Sequence, residues 1–474
     1  MKGHIVQPQQ GAGGKGSTAS VKVGRWITPS LHLLLAPLLG IAVYLFLGQA
    51  APALPAHLLG HPVAYFPALL SAHTRAELMN LTRAIGELPG VSSAESSYSM
   101  THEHIGEGSD HPASPDGKCS HPFLVPSSNG SACILPGRID VGRHYIATGG
   151  IEGLKEQHAQ LINRVQSFIK YIFNPLEHAV TARLFADSAF LSAARSVCPA
   201  HKPVLDPFQT TLIAQVPGQT VPAHLDGVWF HGASRFHVPQ WLLAVMAFSG
   251  LFAERLVDQV QLVAYYHDWE DPSGARGGAF VHWAARNGSE AALPPHPGSG
   301  NAMDGSKTIH AATLFEPSAA APPLDKSVRH ALVHNASGGS WGLVSGGQPR
   351  GPPHAWTEQQ LRFSVVYRAR CFGSEAERAA FGAALAAGEG LMDLEGDILL
   401  PLMREAARRG AGSLATLQAL PRLDLALKLL DVFVRYPKPP LRRAWLPFNY
   451  CALPRLLPNL ALLARAIDWL CPLR

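Results

Sequence analysis

From about residue 208 to residue 373 the chain consists of short runs of β-branched and aromatic residues cut by glycine and proline, and this limits its fold more than any other feature. The runs are QTTLIAQV, QTVPAHLDGVWF, VDQVQLVAYYHDW, GGAFVHW, GSKTIHAATLF and LRFSVVYRARCF, with Pro217-Gly218 and Gly277-Gly278 among the turns. Strands of this length cannot stand alone. They pair antiparallel and must stack or close to protect their edges, so the series predicts a sandwich or jelly roll. Two stretches interrupt it, 284–300 and 316–354; both are rich in Pro, Gly, Ala and Ser and predict surface insertions.

The rest of the chain reads differently. Residues 67–87 keep a three-to-four apolar spacing and predict a helix, as does the block 153–194, whose core LKEQHAQLINRVQSFIKYIF precedes Pro175. Residues 90–135 are Ser-, Gly-, Pro- and His-rich and read as loop. Beyond residue 374 the chain turns Ala-, Leu- and Arg-rich and helical. At 474 residues it exceeds what one core needs, so appended parts are expected. Net charge is +5 with no run of five basic residues, so nothing points to nucleic acid.

No Asp, Glu, Lys or Arg occurs from Trp26 to Thr74, and within this stretch lies LHLLLAPLLGIAVYLFL, long enough to cross a bilayer. Positive charge precedes it. The expectation is a cytosolic tail at 1–28, a transmembrane signal anchor at 29–49 and a lumenal remainder, in the endoplasmic reticulum or Golgi membrane. Sequons at Asn80, Asn129, Asn287 and Asn335 fit a glycoprotein. Six cysteines leave pairing open; Cys119 with Cys133, and Cys451 with Cys471, could each close a short loop.

One strand carries His224-Leu225-Asp226, the only His-x-Asp in the chain. Residues i and i+2 of a strand share a face, so this imidazole and carboxylate can reach one metal ion. A second histidine on another strand, His310 in KTIHAATLF, completes a facial set. Two neutral imidazoles and a carboxylate leave Fe(II) a net positive charge and three open positions, two for a 2-oxo acid and one for O2. The tripeptide alone is weak among 23 histidines, and by itself reads as an ordinary strand histidine. The last strand supplies Arg362 and Ser364, again at i and i+2. Arg362 offers a planar fork of donors for a carboxylate, and Ser364 can donate to the same group. Arg368 shares that face and is a competing choice.

With these residues in this order, the chain resembles the Fe(II)/2-oxoglutarate-dependent dioxygenases, in particular their prolyl 4-hydroxylase-like branch. The family pattern is a glycine before His-x-Asp, a Gly-Gly before a strand, a distal histidine and a basic residue on the final strand. Here these fall on Gly218, His224 and Asp226, Gly277 and Gly278, His310, and Arg362. The likeness covers residues 205–373. It implies an α+β chain: a helical and loop region at 50–204, a double-stranded β-helix (jelly-roll) dioxygenase domain at 205–373 and a C-terminal helical region at 374–474. It further implies that His224, Asp226 and His310 bind iron and that Arg362 with Ser364 binds the distal carboxylate of 2-oxoglutarate. O2 would be the other co-substrate and ascorbate a further reductant. The reaction would hydroxylate a protein, glycan or lipid in the secretory lumen, a macromolecular or lipid partner. Two departures stand out. His310 and Arg362 lie 52 positions apart, longer than the family spacing, so 316–354 would loop out between the last two strands. Collagen-type prolyl hydroxylases carry Lys where Arg362 stands, so substrate class does not carry over. The alternatives are an inactive jelly-roll binding or scaffold module and a cupin-like metalloenzyme that does not use 2-oxoglutarate.

Other residues read more plainly. His102 and His104 lie in loop sequence and fit a solvated role. His231 and His237 fit surface positions, and Lys307 an exposed one. Trp229, Phe230, Tyr265, Tyr266 and Trp269 read first as core aromatics, with a pocket wall as the alternative.

Overall fold

The run RFSVVYRARCF at Arg362–Phe372 alternates polar with apolar residues, yet all but one of them are buried. A strand of this kind is covered on both faces and lies inside a sheet, not at its edge. The computed structural model describes residues 54–91, 124–126, 133–135, 163–165, 167–324 and 328–437. Its strands in chain order are β1 (Val63–Phe66), β2 (Glu87–Val91), β3 (Val125–Pro126), β4 (Cys133–Ile134), β5 (Ser167–Ile172), β6 (Val204–Gln215), β7 (Val221–His224), β8 (Gln259–Tyr265), β9 (Phe280–His282), β10 (Ala291–Leu293), β11 (Gly300–Met303), β12 (His310–Ala312), β13 (His330–Asn335), β14 (Ser340–Ser345), β15 (Gln348–Pro349), β16 (Ala355–Thr357) and β17 (Arg362–Phe372).

The large sheet runs β1-β11-β8-β17-β6-β5-β2-β13-β14-β15, and a smaller one runs β10-β9-β12-β7. All their pairings are antiparallel. From β6 onward the chain passes back and forth between the sheets, and β17 returns to fill the place between β6 and β8. This alternation matches the jelly-roll pattern. One face of the large sheet is apolar: Phe363, Val365, Tyr367 and Ala369 join Leu212, Ala214, Leu262 and Ala264 in a core with Leu78, Leu184 and Phe190 of the covering helices. Each large side chain buried there contributes about 1.5–3 kcal/mol. The opposite face carries Arg362, Ser364, Val366 and Arg368 toward the smaller sheet. Its polar character follows from period-two alternation, because the apolar residues on the helix side fix the register.

The helix Ala72–Ile85 forms where apolar spacing predicts it. Ser71 caps its start by accepting the Thr74 N–H at 3.0 Å, and Gly86 ends it in the left-handed region. The C-terminal helices Leu400–Arg408 and Arg422–Phe433 pack with Gln240–Ser249. Their core includes Leu402, Leu430 and Phe433 and takes in Leu225, Val281 and Ile309 from the smaller sheet. Leu225, the middle residue of the His-x-Asp, therefore lies in the same core as the C-terminal helices. A disulfide joins Cys198 to Cys371 at the end of β17, with Cα atoms 6.0 Å apart. Cys133 is also disulfide-bonded; Cys119, Cys451 and Cys471 lie outside the described residues.

Several expectations need correction. Ser167–Ile172 is strand β5 and not part of a helix, because its neighbours β6 and β2 satisfy its backbone; helices follow at Ala179–Ala186 and Ser188–Arg195. The stretch 316–354 does not simply loop out. It contains the hairpin β13–β14, which extends the large sheet through β2. The expected single-pass membrane placement is overturned: among the described residues no helix is long and apolar enough to cross a membrane. Residues 1–49, where the tail and anchor were expected, and His102 and His104 lie outside the described residues.

Just beyond β8, His267 is fully buried and stacks on Trp269 at 3.9 Å. Its ring nitrogens lie 3.2 Å from the Phe363 carbonyl and 2.9 Å from that of Pro295. Burial, reinforced by the charge of Arg362, pushes its pKa down to about 3. The unfolded chain, with a histidine pKa of about 6.5, then binds more protons than the folded one as pH falls below that value. Stability present at neutral pH is lost between about pH 6.5 and pH 3, at about 1.4 kcal/mol per unit. Urea unfolding at pH 7 and pH 5 should therefore differ by about 2 kcal/mol, and His267→Gln should flatten that dependence. An unchanged dependence in the variant would assign it elsewhere.

Candidate metal centre

β7 and β12 pair so that His224 stands directly opposite His310. Each ring is oriented by a backbone carbonyl two residues back: His224 Nδ1 lies 2.8 Å from Pro222 O, and His310 Nδ1 lies 2.9 Å from Thr308 O. A neutral imidazole donating through Nδ1 turns the Nε2 lone pair toward a metal. The two ring centroids are 4.2 Å apart. Asp226 follows β7, its N–H held by the Gly305 carbonyl at 2.9 Å. His224 Nε2 lies 3.7 Å from Asp226 Oδ1, and His310 Nε2 lies 3.8 Å from Oδ2. The three donor atoms fall within 4.8 Å of one another, the one such group among the described residues.

The chemistry of this set fits a divalent ion. Bonds of about 2.1 Å at right angles need donors about 3 Å apart, so a modest contraction suffices. Asp226 Oδ2 is buried without a hydrogen-bond partner. Such an atom costs roughly 1–3 kcal/mol unless a ligand meets it. Its other oxygen, Oδ1, accepts from Arg368 of β17. Arg368 thus orients the carboxylate, a role its position as a rival to Arg362 did not reveal. Gly305 is a second residue that sequence reading missed: a Cβ there would lie 2.2 Å from Asp226 Oδ2.

Arg362 and Ser364 are both buried on the same inner face of β17. Arg362 donates to Gln215 Oε1, and to the Tyr265 hydroxyl at 3.1 Å. Its guanidinium carbon lies 4.8 Å from the Tyr265 ring centroid. No acidic side chain pairs with it among the described residues, and its Nε has no partner. Tyr265, which sequence reading placed first in the core, is therefore part of this polar cluster. Gly278 makes room for it, since a Cβ there would meet Arg362 Cδ at 2.9 Å. Gly277 is required by a positive φ of 66° and by the Leu314 carbonyl, 2.1 Å from where its Cβ would be. Gly218, the third glycine of the pattern, has φ 86° and packs on the backbone of Ala321.

The metal donors and the Arg362 cluster lie along one inner surface. Gln261 stands opposite Arg368 across β8 and β17, and its Nε2 lies 3.3 Å from His310 Nε2. Tyr265 stands opposite Ser364, and Ile213, Val263 and Val366 form a short apolar stretch between the two layers. The ring centroid of Phe280 lies 5.6 Å from that of His310. His282, paired directly with His310, shares this face; burial and then the neighbouring His310 lower its pKa. His231 is exposed and His237 half-buried, with Nδ1 3.2 Å from Ser234 Oγ. Lys307 does not stand free: it pairs with Asp258, which also holds Lys202 at 2.6 Å.

No protein-family model matches the chain, and no curated protein matches it in sequence. Solved structures similar to it include a prolyl-4-hydroxylase from Pseudomonas putida, at 12% identity and TM-score 0.29, covering 65% of this chain and 93% of that one. Another is a prolyl hydroxylase from Trichoplax adhaerens, in complex with a hypoxia inducible factor peptide fragment. It shows 8% identity and TM-score 0.28, with 74% and 96% covered. HygX from Streptomyces hygroscopicus, with nickel, 2-oxoglutarate and hygromycin B bound, shows 9% identity and TM-score 0.28, with 66% and 83% covered.

Proposed function

We propose that this chain is an Fe(II)- and 2-oxoglutarate-dependent dioxygenase that hydroxylates a C–H bond of its substrate. The observation that carries the reading is the buried Arg362 guanidinium, which has only neutral partners and lies on the same inner surface as a three-donor metal set. An unpaired buried charge is expensive, by several kcal/mol, and a ligand carboxylate removes that cost. His224, Asp226 and His310 would hold the iron, and Arg362, Tyr265 and Ser364 would hold the distal carboxylate of 2-oxoglutarate. Bound iron supplies the oxidising chemistry: substrate C–H, 2-oxoglutarate and O2 give substrate C–OH, succinate and CO2.

The chain's own residues set the conditions. The carbonyls of Pro222 and Thr308 keep each histidine in one tautomer, so both rings present a lone pair. Arg368 holds one oxygen of Asp226 and leaves the other for the metal. Ile213, Val263 and Val366 line the way between the two layers with apolar surface, which excludes water and strengthens the charge pairing at Arg362.

The test uses the full chain without oxygen. Fe(II) and 2-oxoglutarate together should give the weak visible charge-transfer band of the chelate. His224→Ala should abolish it. Arg362→Ala should need about 10–100 times more 2-oxoglutarate, the equivalent of losing charge-assisted hydrogen bonds of about 1.5–3 kcal/mol. No band in the folded chain at saturating 2-oxoglutarate would sink the reading. A metal-loaded chain indifferent to 2-oxoglutarate and to Arg362→Ala would favour the cupin-like alternative.

A further inference from the structure

One buried polar side chain beside the metal donors has no role in the chemistry above. Gln261 lies on β8, four residues before Tyr265, so period two puts both on the inner face. It stands opposite Arg368 of β17 on one side and Met303 of β11 on the other, and it is 6% exposed. Its Nε2 lies 3.3 Å from His310 Nε2. The Nδ1 of that ring is turned to the Thr308 carbonyl, so Nε2 carries the lone pair and the Gln261 amide N–H faces it. The other amide atom, Oε1, is buried without a hydrogen-bond partner. Asp226 Oδ2, 3.8 Å from the same His310 Nε2, is in the same condition. Two buried acceptor oxygens without donors therefore accompany one imidazole lone pair, an arrangement that a cation satisfies.

We infer that Gln261 is a fourth protein donor to the metal, through its carboxamide oxygen. This rests on the metal set of the dioxygenase reading and extends it. A cation that takes the His310 lone pair removes the acceptor of the Gln261 N–H and repels that end of the amide. Turning the amide over brings Oε1 to the place of Nε2, 3.3 Å from His310 Nε2. Donors at right angles on one ion lie about 3 Å apart, so this distance suits an adjacent coordination position. The carboxamide oxygen is a hard, neutral donor and leaves the positive charge of the ion intact. With Gln261 bound, two open positions remain, the number that a 2-oxo acid fills, and O2 gains its place when Gln261 lets go. The rival partner of Oε1 is Arg368 Nε, on the strand opposite and also buried without a partner. That pairing would leave the metal untouched.

Calorimetric titration of the full chain with Co(II), without 2-oxoglutarate, decides by the sign of the effect. A Gln261 that only competes with the ion for His310 would bind metal more tightly once removed; a Gln261 that donates to the ion would bind it less tightly. Gln261→Leu should weaken Co(II) binding about 10-fold and change the visible absorption of the bound ion, which follows its donor set. Gln261→Glu, of the same length and with oxygen donors, should keep the affinity of the parent or exceed it. Tighter binding in Gln261→Leu, or binding within about threefold of the parent, overturns the proposal and leaves Oε1 to Arg368. Equal loss in both variants overturns it as well, because it marks damage to the pocket and not a lost donor. A chain whose Co(II) affinity depends on Gln261, yet gives no charge-transfer band with Fe(II) and 2-oxoglutarate, counts against the dioxygenase reading alone. A parent chain that binds no Co(II) sinks both.

Discussion

Replacing Gly305 with alanine is expected to weaken metal binding by on the order of 100-fold, although Gly305 itself ligates nothing. The added methyl would stand 2.2 Å from Asp226 Oδ2 and 3.0 Å from Cγ. Neither side can yield. Asp226 is tied to this turn by its own N–H on the Gly305 carbonyl, and its Oδ1 is held by Arg368. The turn is tied in place by Asp304, which accepts the Gln259 N–H at 3.1 Å and the Ser306 N–H at 3.0 Å. Lys307 then pairs with Asp258. The carboxylate must rotate its metal-facing oxygen away, or the turn must break contacts worth a few kcal/mol. Calorimetric titration with Co(II), with circular dichroism confirming the fold, measures the effect. An affinity within threefold of the parent would show that the turn is softer than its contacts imply.

The second large effect concerns stability. Cys198 and Cys371 lie 173 positions apart, so their bond constrains a long loop of the unfolded chain. The chain-entropy model puts this at about 5 kcal/mol, and measured disulfides usually give somewhat less, about 2–4 kcal/mol. The double variant Cys198→Ala with Cys371→Ala isolates this bond from the one at Cys133. It should lower the unfolding free energy by about 3–5 kcal/mol in urea. A loss below about 1 kcal/mol would mean that the packing of β17 alone holds the end of the sheet.

Much of the jelly roll was legible because its strands obey simple alternation. Gly277 and Gly278 mark a turn that only glycine can make, and β8 and β17 carry β-branched and aromatic runs that no helix would favour. The grouping of the candidate site was legible for the same reason: period two predicts that His224 and Asp226 come together, and Arg362 with Ser364, and the structure brings each pair together. What failed to show was everything set by distant partners. SFIKYI has a helical spacing when read alone, and only its neighbours in the sheet make it β5. The hairpin β13–β14 is hidden in Ala-, Gly- and Ser-rich sequence with little periodicity. Arg368 looks like any surface arginine, because nothing local says which carboxylate it will face. Gly305 carries no signal beyond being a glycine in a turn. The expected membrane placement came from apolar composition outside the described residues, and no described helix supports it.

The place of β17 has a consequence for how the chain is made. Its partners on β6 and β8 were synthesised roughly a hundred residues or more before it. Until Phe372 has left the ribosome, those two strands present facing edges with a slot between them, open to any passing strand. The growing chain cannot close its sheet early, and Arg362 and Arg368 arrive with the closing piece. Chains cut short before residue 362 should therefore be lost to aggregation or proteolysis. The Cys198–Cys371 bond then ties the far end of that closing strand to the segment just before β6.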